Sequence, residues 1–150
     1  MFIVQDSREQ APLAFPVSPA LEGVKVEKLD YGDYRARYQD GSSSVAVFDR
    51  KSLGDLYGTL TSGYLRFKKE LERSLADGAR LELIVECPLT KVAEGFERSQ
   101  FEGRSMMKKL GTLWHKYQLY TVFCKDRAEM AAYILWRFES EGYQRLRGGK

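Results

Sequence analysis

Two acids and a lysine stand at a spacing that suits phosphodiester chemistry. The stretch "VAVFDRKSLGD" runs apolar from Val45 to Phe48 and then meets Asp49, Arg50 and Lys51 with no turn residue between. Burying one unpaired charge is costly, so three charges closing such a run need partners or a task. Alternate side chains of a strand share a face, which sends Asp49 and Lys51 one way and Arg50 the other. The segment "YGDYRARYQDGSSSVAVFDRK" reads as a hairpin folded about Gly41 in the predicted turn "QDGSSS". Antiparallel partners have a constant index sum, so this fold pairs Asp33 with Asp49. Opposed residues in such a pair have Cβ atoms about 4.5–5.5 Å apart. A slip of one residue in the turn still leaves the two carboxylates close.

Carboxylates at that distance repel, and each resists ionising unless a cation lies between them. A hard divalent ion such as magnesium, with oxygen ligands and retained waters, suits the arrangement. Such an ion lowers the pKa of a bound water and draws charge from a phosphoryl oxygen. Lys51 beside it would orient or help deprotonate the water and stabilise charge building on the phosphoryl group. On these residues alone two readings fit: metal-dependent phosphodiester hydrolysis, and a salt-bridged cluster at a strand end.

The elements that must carry these side chains follow from periodicity and turn residues. "MFIVQ", "VKVEKL", "YGDYRARY", "VAVFD", "LELIVE" and "LYTVFC" read as strands, and the proline-bearing "APLAFPVSPALEG" as loop. Ser52 is a good N-cap for a helix through "LGDLYGTL". A second helix after "TSG" aligns Tyr64, Phe67, Leu71 and Leu75 on one face. "RSMMKKLGTLWHKYQ" aligns Met106, Leu110, Leu113, Trp114 and Tyr117, and "DRAEMAAYILWRFESE" closes the fold behind an Asp126 cap. Strands first, then alternating helix and strand, predict an α/β domain: a mixed sheet with helices on both faces. The domain is expected over residues 1–142, with 143–150 as a loose basic tail.

With 150 residues, 43% of them hydrophobic and 30% charged, the chain suits one soluble domain with a substantial core. The net charge is +3, unevenly spread: from Arg104 onward ten Lys/Arg face four Asp/Glu. That segment suits phosphate contact. No run reaches the length of a membrane span, and the acidic start "MFIVQDSREQ" is no signal peptide, so an intracellular, cytoplasmic setting is expected. Cys87 and Cys124 read as buried thiols. His115 is the sole histidine, which disfavours histidine-dependent metal clusters.

The motifs "DSRE" (Asp6–Glu9), "GDY" (Gly32–Tyr34), "DRKSLGD" (Asp49–Asp55), "SGYLRFKKEL" (Ser62–Leu71) and "LIVE" (Leu83–Glu86) occur in that order. The series resembles the nuclease domain of XPF-type structure-specific endonucleases, including archaeal Hef, over roughly Phe2 to Glu139. The resemblance implies a restriction-endonuclease-like core that cuts branched or flapped DNA with Mg2+ or Mn2+. It assigns Asp33 and Asp49 as metal ligands, Lys51 as the catalytic lysine, Arg50 as the arginine between them and Asp55 as the final acid. It also implies that Arg8 binds the scissile phosphate, with Glu9 or Asp6 orienting Arg8, Arg50 or a water. Where the family has Glu, this chain has Asp49, one methylene shorter. The helix-hairpin-helix domain usual in the family has no counterpart in these residues.

Duplex contact is expected from Arg66, Lys68 and Lys69, and from Lys108 and Lys109 with Arg104 and Lys116 nearby; an ordinary solvated helix face is the other reading of each set. Tyr133, Trp136 and Phe138 exceed one buried stripe, and an apolar seam there suits a homodimer. The rival to the endonuclease is a non-catalytic DNA-binding or scaffold subunit of an XPF-type heterodimer. A more distant rival is a sequence-specific restriction-type nuclease.

Overall fold

The computed structural model describes residues 1–148. Four strands precede the first helix: β1 (Phe2–Asp6), β2 (Gly23–Glu27), β3 (Tyr34–Arg37) and β4 (Ser43–Lys51). Helices α1 (Leu53–Leu60) and α2 (Tyr64–Ala76) follow. Then come β5 (Arg80–Glu86), α3 (Leu89–Glu94), α4 (Gly103–Tyr117), β6 (Tyr120–Cys124) and α5 (Arg127–Leu146). The strands make one sheet in the order β2-β1-β3-β4-β5-β6. β3 is antiparallel to both β1 and β4, while β1–β2, β4–β5 and β5–β6 are parallel pairs. The expected mixed sheet with helices on both faces is present.

Composition explains the layering. In β5, Leu81, Leu83 and Val85 meet Leu56, Leu60, Phe67, Leu71 and Leu110 from α1, α2 and α4. Ile84 turns the other way, toward Tyr34, Phe48 and the α5 residues Ile134, Leu135 and Phe138. A near-continuous apolar run is what a strand covered on both faces requires. Its one buried acid, Glu82, is held by Arg137 of α5, which donates to both carboxylate oxygens at 2.7 and 2.6 Å. Ser52 and Asp55 form a capping box on α1, and Asp126 accepts from the Glu129 N–H to cap α5.

Several side chains depart from the expected stripes. Trp114 is 41% exposed and lies against Tyr120, ring centroids 4.7 Å apart, while Leu75 is also exposed. Phe138, expected on an outer seam, is in the core; Trp136 is the exposed one of that set. α5 continues to Leu146 because its last turns are bonded to the β3–β4 hairpin. The expected tail therefore begins as helix, and residues 149–150 lie outside the described residues. The short α3, entered through Pro88, offers too few residues for a periodic signal.

The hairpin carrying the acids is not a plain ribbon. Tyr38 N–H donates to Ser42 O and Arg37 pairs with Ser43, so the turn centres on Asp40 rather than Gly41. Beyond a β-bulge the partners become Arg35–Val47 and Tyr34–Phe48. Between those pairs β3 spends Ala36 alone and β4 spends Ser44, Val45 and Ala46. The expected register thus holds at the acid end for a reason the turn sequence does not contain.

Candidate active site

Asp33 is fixed by its backbone before its side chain is considered. Its N–H donates to Phe48 O at 2.7 Å and its carbonyl accepts from Asp6 N–H at 2.8 Å, so the residue bridges β1 and β4. The preceding Gly32 lies at φ +71°, and a Cβ there would fall 2.5 Å from Val47 Cγ1. Only glycine suits both the left-handed backbone and the close approach. Gly32 N–H donates to Glu70 Oε1 of α2 at 2.9 Å.

The Asp33 carboxylate accepts the Arg50 backbone N–H at 2.8 Å through Oδ2 and lies within hydrogen-bonding reach of the Asp49 carboxyl. Asp49 is 5% exposed, and Lys51 Nζ stands 3.5 Å from its Oδ1. The trio expected from strand alternation is therefore assembled on the face toward α1 and α2. Arg50 leaves by the opposite face, where its Nε and Nη2 donate to the two oxygens of Glu9 at 3.0 and 2.7 Å.

Burial pushes the Asp33 carboxyl up, with the nearby Glu9 charge adding to it. Burial raises Asp49 well above the ordinary aspartate range; Lys51 opposes this, and the charges of Asp33 and Glu70 reinforce it. Without a further cation the two acids share a proton more readily than they both ionise. Burial would lower Lys51, but Asp49, Asp33, Glu70 and Asp55 outweigh it and hold the ammonium charged. Lys51 is thus held as a cation beside the pair. Glu9 stays ionised despite burial because Arg50 bonds it.

The remaining motif residues divide. Asp6 is buried and accepts from Arg8 Nε at 2.9 Å and Leu29 N–H at 2.8 Å; Arg8 also donates to Leu29 O. This network adjoins Asp33 through the β1 backbone, with Arg8 largely exposed. Asp55 serves the α1 capping box and lines a groove of about 480 Å³ with Lys51, Arg66 and Glu70. Lys69 and Lys108 are exposed on α2 and α4, and Lys68 is half-buried. Lys109 is engaged otherwise: its Nζ lies 4.0 Å over the Tyr64 ring, and burial lowers its pKa. It packs α4 on α2 through that ring. Glu70 joins the site without having been among the expected residues. Its signal was a lone acid set between the buried positions Phe67 and Leu71 on an amphipathic helix.

Among the described residues, no three His, Cys, Asp or Glu side chains are grouped to hold a metal ion. The donors at the pair are two hard carboxylates crowded enough to resist double ionisation. That chemistry suits Mg2+ or Mn2+, which one or two carboxylates hold with waters and substrate phosphates completing the shell.

The layered mixed sheet, with Asp49 and Lys51 at the end of its central strand and Asp33 beside them just ahead of β3, defines an XPF-type nuclease-domain fold. The chain belongs to the ERCC4 domain family, which it matches over residues 6–135. It is similar to XPF from Aeropyrum pernix in complex with DNA, with TM-score 0.66 and 21% identity. That match covers 94% of this chain and 66% of the other, so the chain spans slightly less than two thirds of that relative. A structure of Aeropyrum pernix XPF without DNA gives TM-score 0.65 at 21% identity, covering 99% and 69%. Comparison with curated proteins finds no match. The described residues include no helix long and apolar enough to cross a membrane.

Proposed function

We propose that this chain is a metal-dependent endonuclease acting on branched, flap or junction DNA. The observation that carries the reading is the half-buried Asp33 and buried Asp49 beside a charged Lys51, where a cation would relieve the repulsion of the two carboxylates. A bound Mg2+ or Mn2+ would neutralise the pair and polarise a phosphoryl oxygen. Asp33 and Asp49 would hold such an ion, with Asp33 fixed by the Arg50 N–H. Lys51 donates to a non-bridging phosphate oxygen and stabilises its growing charge. Glu9 holds the Arg50 side chain in one conformation on the reverse face, stiffening the strand end that carries both neighbours. Arg66, beside Lys51 in the groove, and the exposed Lys69 and Lys108 would contact phosphates on either side. Trp136, Tyr143 and Leu146 leave an apolar strip on α5 that suits a homodimer.

A specific observation favours a second reading, a non-catalytic DNA-binding or scaffold subunit. The described residues offer no three-ligand group, and a shared proton with Lys51 alongside can satisfy the pair without an ion. On that finding the subunit stands ahead; the crowding of the pair is what supports the enzyme. Incubating purified protein with labelled flap, fork, Holliday-junction and linear duplex DNA, with Mg2+, Mn2+ or EDTA, separates the two. Metal-dependent incision of branched DNA is the result the endonuclease reading requires. Binding without any incision would establish the subunit, and cutting at fixed sites in linear duplex would replace both with a restriction-type enzyme.

A further inference from the structure

The plain hairpin set by the turn does not bring the two acids opposite each other. Tyr38–Ser42 and Arg37–Ser43 extrapolate to Asp33 facing Val47, with Asp49 two residues further along β4. Directly opposed residues have Cβ atoms about 4.5–5.5 Å apart and diagonal neighbours about 7–8 Å, so the plain ladder would separate the carboxyls. The two additional β4 residues of the bulge restore the pairing.

A bulge turns backbone groups out of the ladder, and each needs a partner. Here side chains supply them. Ser44 Oγ accepts from Ala36 N–H at 3.0 Å and donates to Ala46 O at 2.7 Å, and Arg35 Nε donates to Ser44 O at 2.8 Å. Two N–H groups are satisfied from another layer of the fold: Glu141 of α5 accepts from Val45 N at 2.7 Å and from Ala46 N at 3.1 Å. Arg145, one helical turn on, pairs with Glu141 at 3.0 Å and donates to Ser43 O and Ser42 Oγ, both at 2.8 Å. Its guanidinium also lies over the Tyr38 ring, and Tyr38 Oη donates to Phe138 O at 2.9 Å. Gly142 lets this approach happen, since a Cβ there would meet Tyr38 at 2.8 Å.

We infer that Glu141, seconded by Arg145, is a positioning residue: it holds the β4 bulge and thereby the register that sets Asp33 opposite Asp49. The end of α5 is then part of the site's construction, although it lies at the far end of the hairpin. The functional weight of this inference rests on the pair being the working centre; the register itself does not.

Glu141→Ala is compared with Glu139→Ala, which removes an α5 carboxylate bonded to Ser18 and remote from the bulge. Cross-strand NMR contacts report the register without DNA or metal. The Glu141→Ala spectrum is expected to lose Tyr34–Phe48 contacts and gain Tyr34–Ala46 contacts, with Glu139→Ala unchanged. Glu141→Gln, whose amide oxygen still accepts one of the two N–H bonds, is expected to return the Tyr34–Phe48 contacts. Retention of those contacts in folded Glu141→Ala overturns the inference. Should that variant fail to fold, Arg145→Ala decides: Tyr34–Ala46 contacts support the clasp, and an unchanged spectrum overturns it. A wild-type chain that never cuts DNA would sink the hydrolase reading and leave this outcome to the spectra.

Discussion

The Arg50 backbone N–H donates to Asp33 Oδ2 at 2.8 Å, while the Arg50 side chain crosses to the other face and grips Glu9. One residue therefore ties both faces of the sheet at the point where the acids meet. Its backbone bond uses one oxygen of Asp33, and the remaining crowding falls on Asp49, the more deeply buried partner. That asymmetry makes Asp49 the group whose ionisation costs the fold most.

Asp49→Asn is expected to raise Tm at pH 8 in the absence of divalent ions. The folded-state pKa values of Asp33 and Asp49 lie above the ordinary aspartate value of about 3.9. Stability contributed by the protonated pair is thus full below about pH 4 and is lost as pH rises through the raised values. The neutral Asn escapes that loss, so its advantage should shrink as the pH is lowered. Thermal melts of both proteins from pH 4 to pH 8 check this; an advantage independent of pH contradicts it.

Lys51→Ala is expected to cut incision of branched DNA at least about a hundredfold, as loss of one preorganised transition-state donor does. Binding should be nearly unchanged, because one phosphate contact of several is removed. Single-turnover incision and fluorescence anisotropy on the same substrate separate the two effects. Full incision by Lys51→Ala would refute the role given to its ammonium group.

Glu9→Ala strands the Arg50 guanidinium, whose side chain is only 15% exposed. Removing one partner of a buried pair leaves an uncompensated charge, at a cost of about 3 kcal/mol, which a melt would read as a fall in Tm of roughly 10 °C. Glu9→Gln should lose less, since its amide oxygen still accepts one bond. Equal melting of wild type and Glu9→Ala would show that the pair is not structural.

Gly32→Ala should cost about 2 kcal/mol, from the left-handed backbone and from overpacking Val47. Urea denaturation measures it. The same substitution at Gly41, whose Cβ would meet nothing within 4 Å, shares the backbone penalty and lacks the clash. A smaller loss at position 32 than at 41 would contradict the packing described for the Asp33 approach.

Strand alternation was enough to place Asp49 and Lys51 together and Arg50 opposite, because a side chain's face depends only on its own strand. The six strands and both helix caps were legible for the same reason: their signals are local. The bulge was not, since its cause is Glu141, nearly a hundred residues downstream. A basic, Gly-ended sequence suggested a loose tail from 143, yet Arg145 is bonded to Ser42 and Ser43. Lys109 read as a phosphate contact by charge alone, and the Tyr64 ring beneath it is a tertiary fact. Glu70 escaped notice because its partner, the Gly32 N–H, is far away in sequence.

The endonuclease reading requires Asp33 and Asp49 to hold a divalent ion between them. Electron paramagnetic resonance titration of Mn2+ into the protein with a phosphorothioate-blocked junction DNA tests it most directly, since free Mn2+ is seen and bound Mn2+ is not. The wild-type chain should remove Mn2+ signal to saturation, and the Asp33→Asn, Asp49→Asn double variant should remove no more than DNA alone. Equal uptake by the two proteins, or none by either, would show that the pair does not bind the ion.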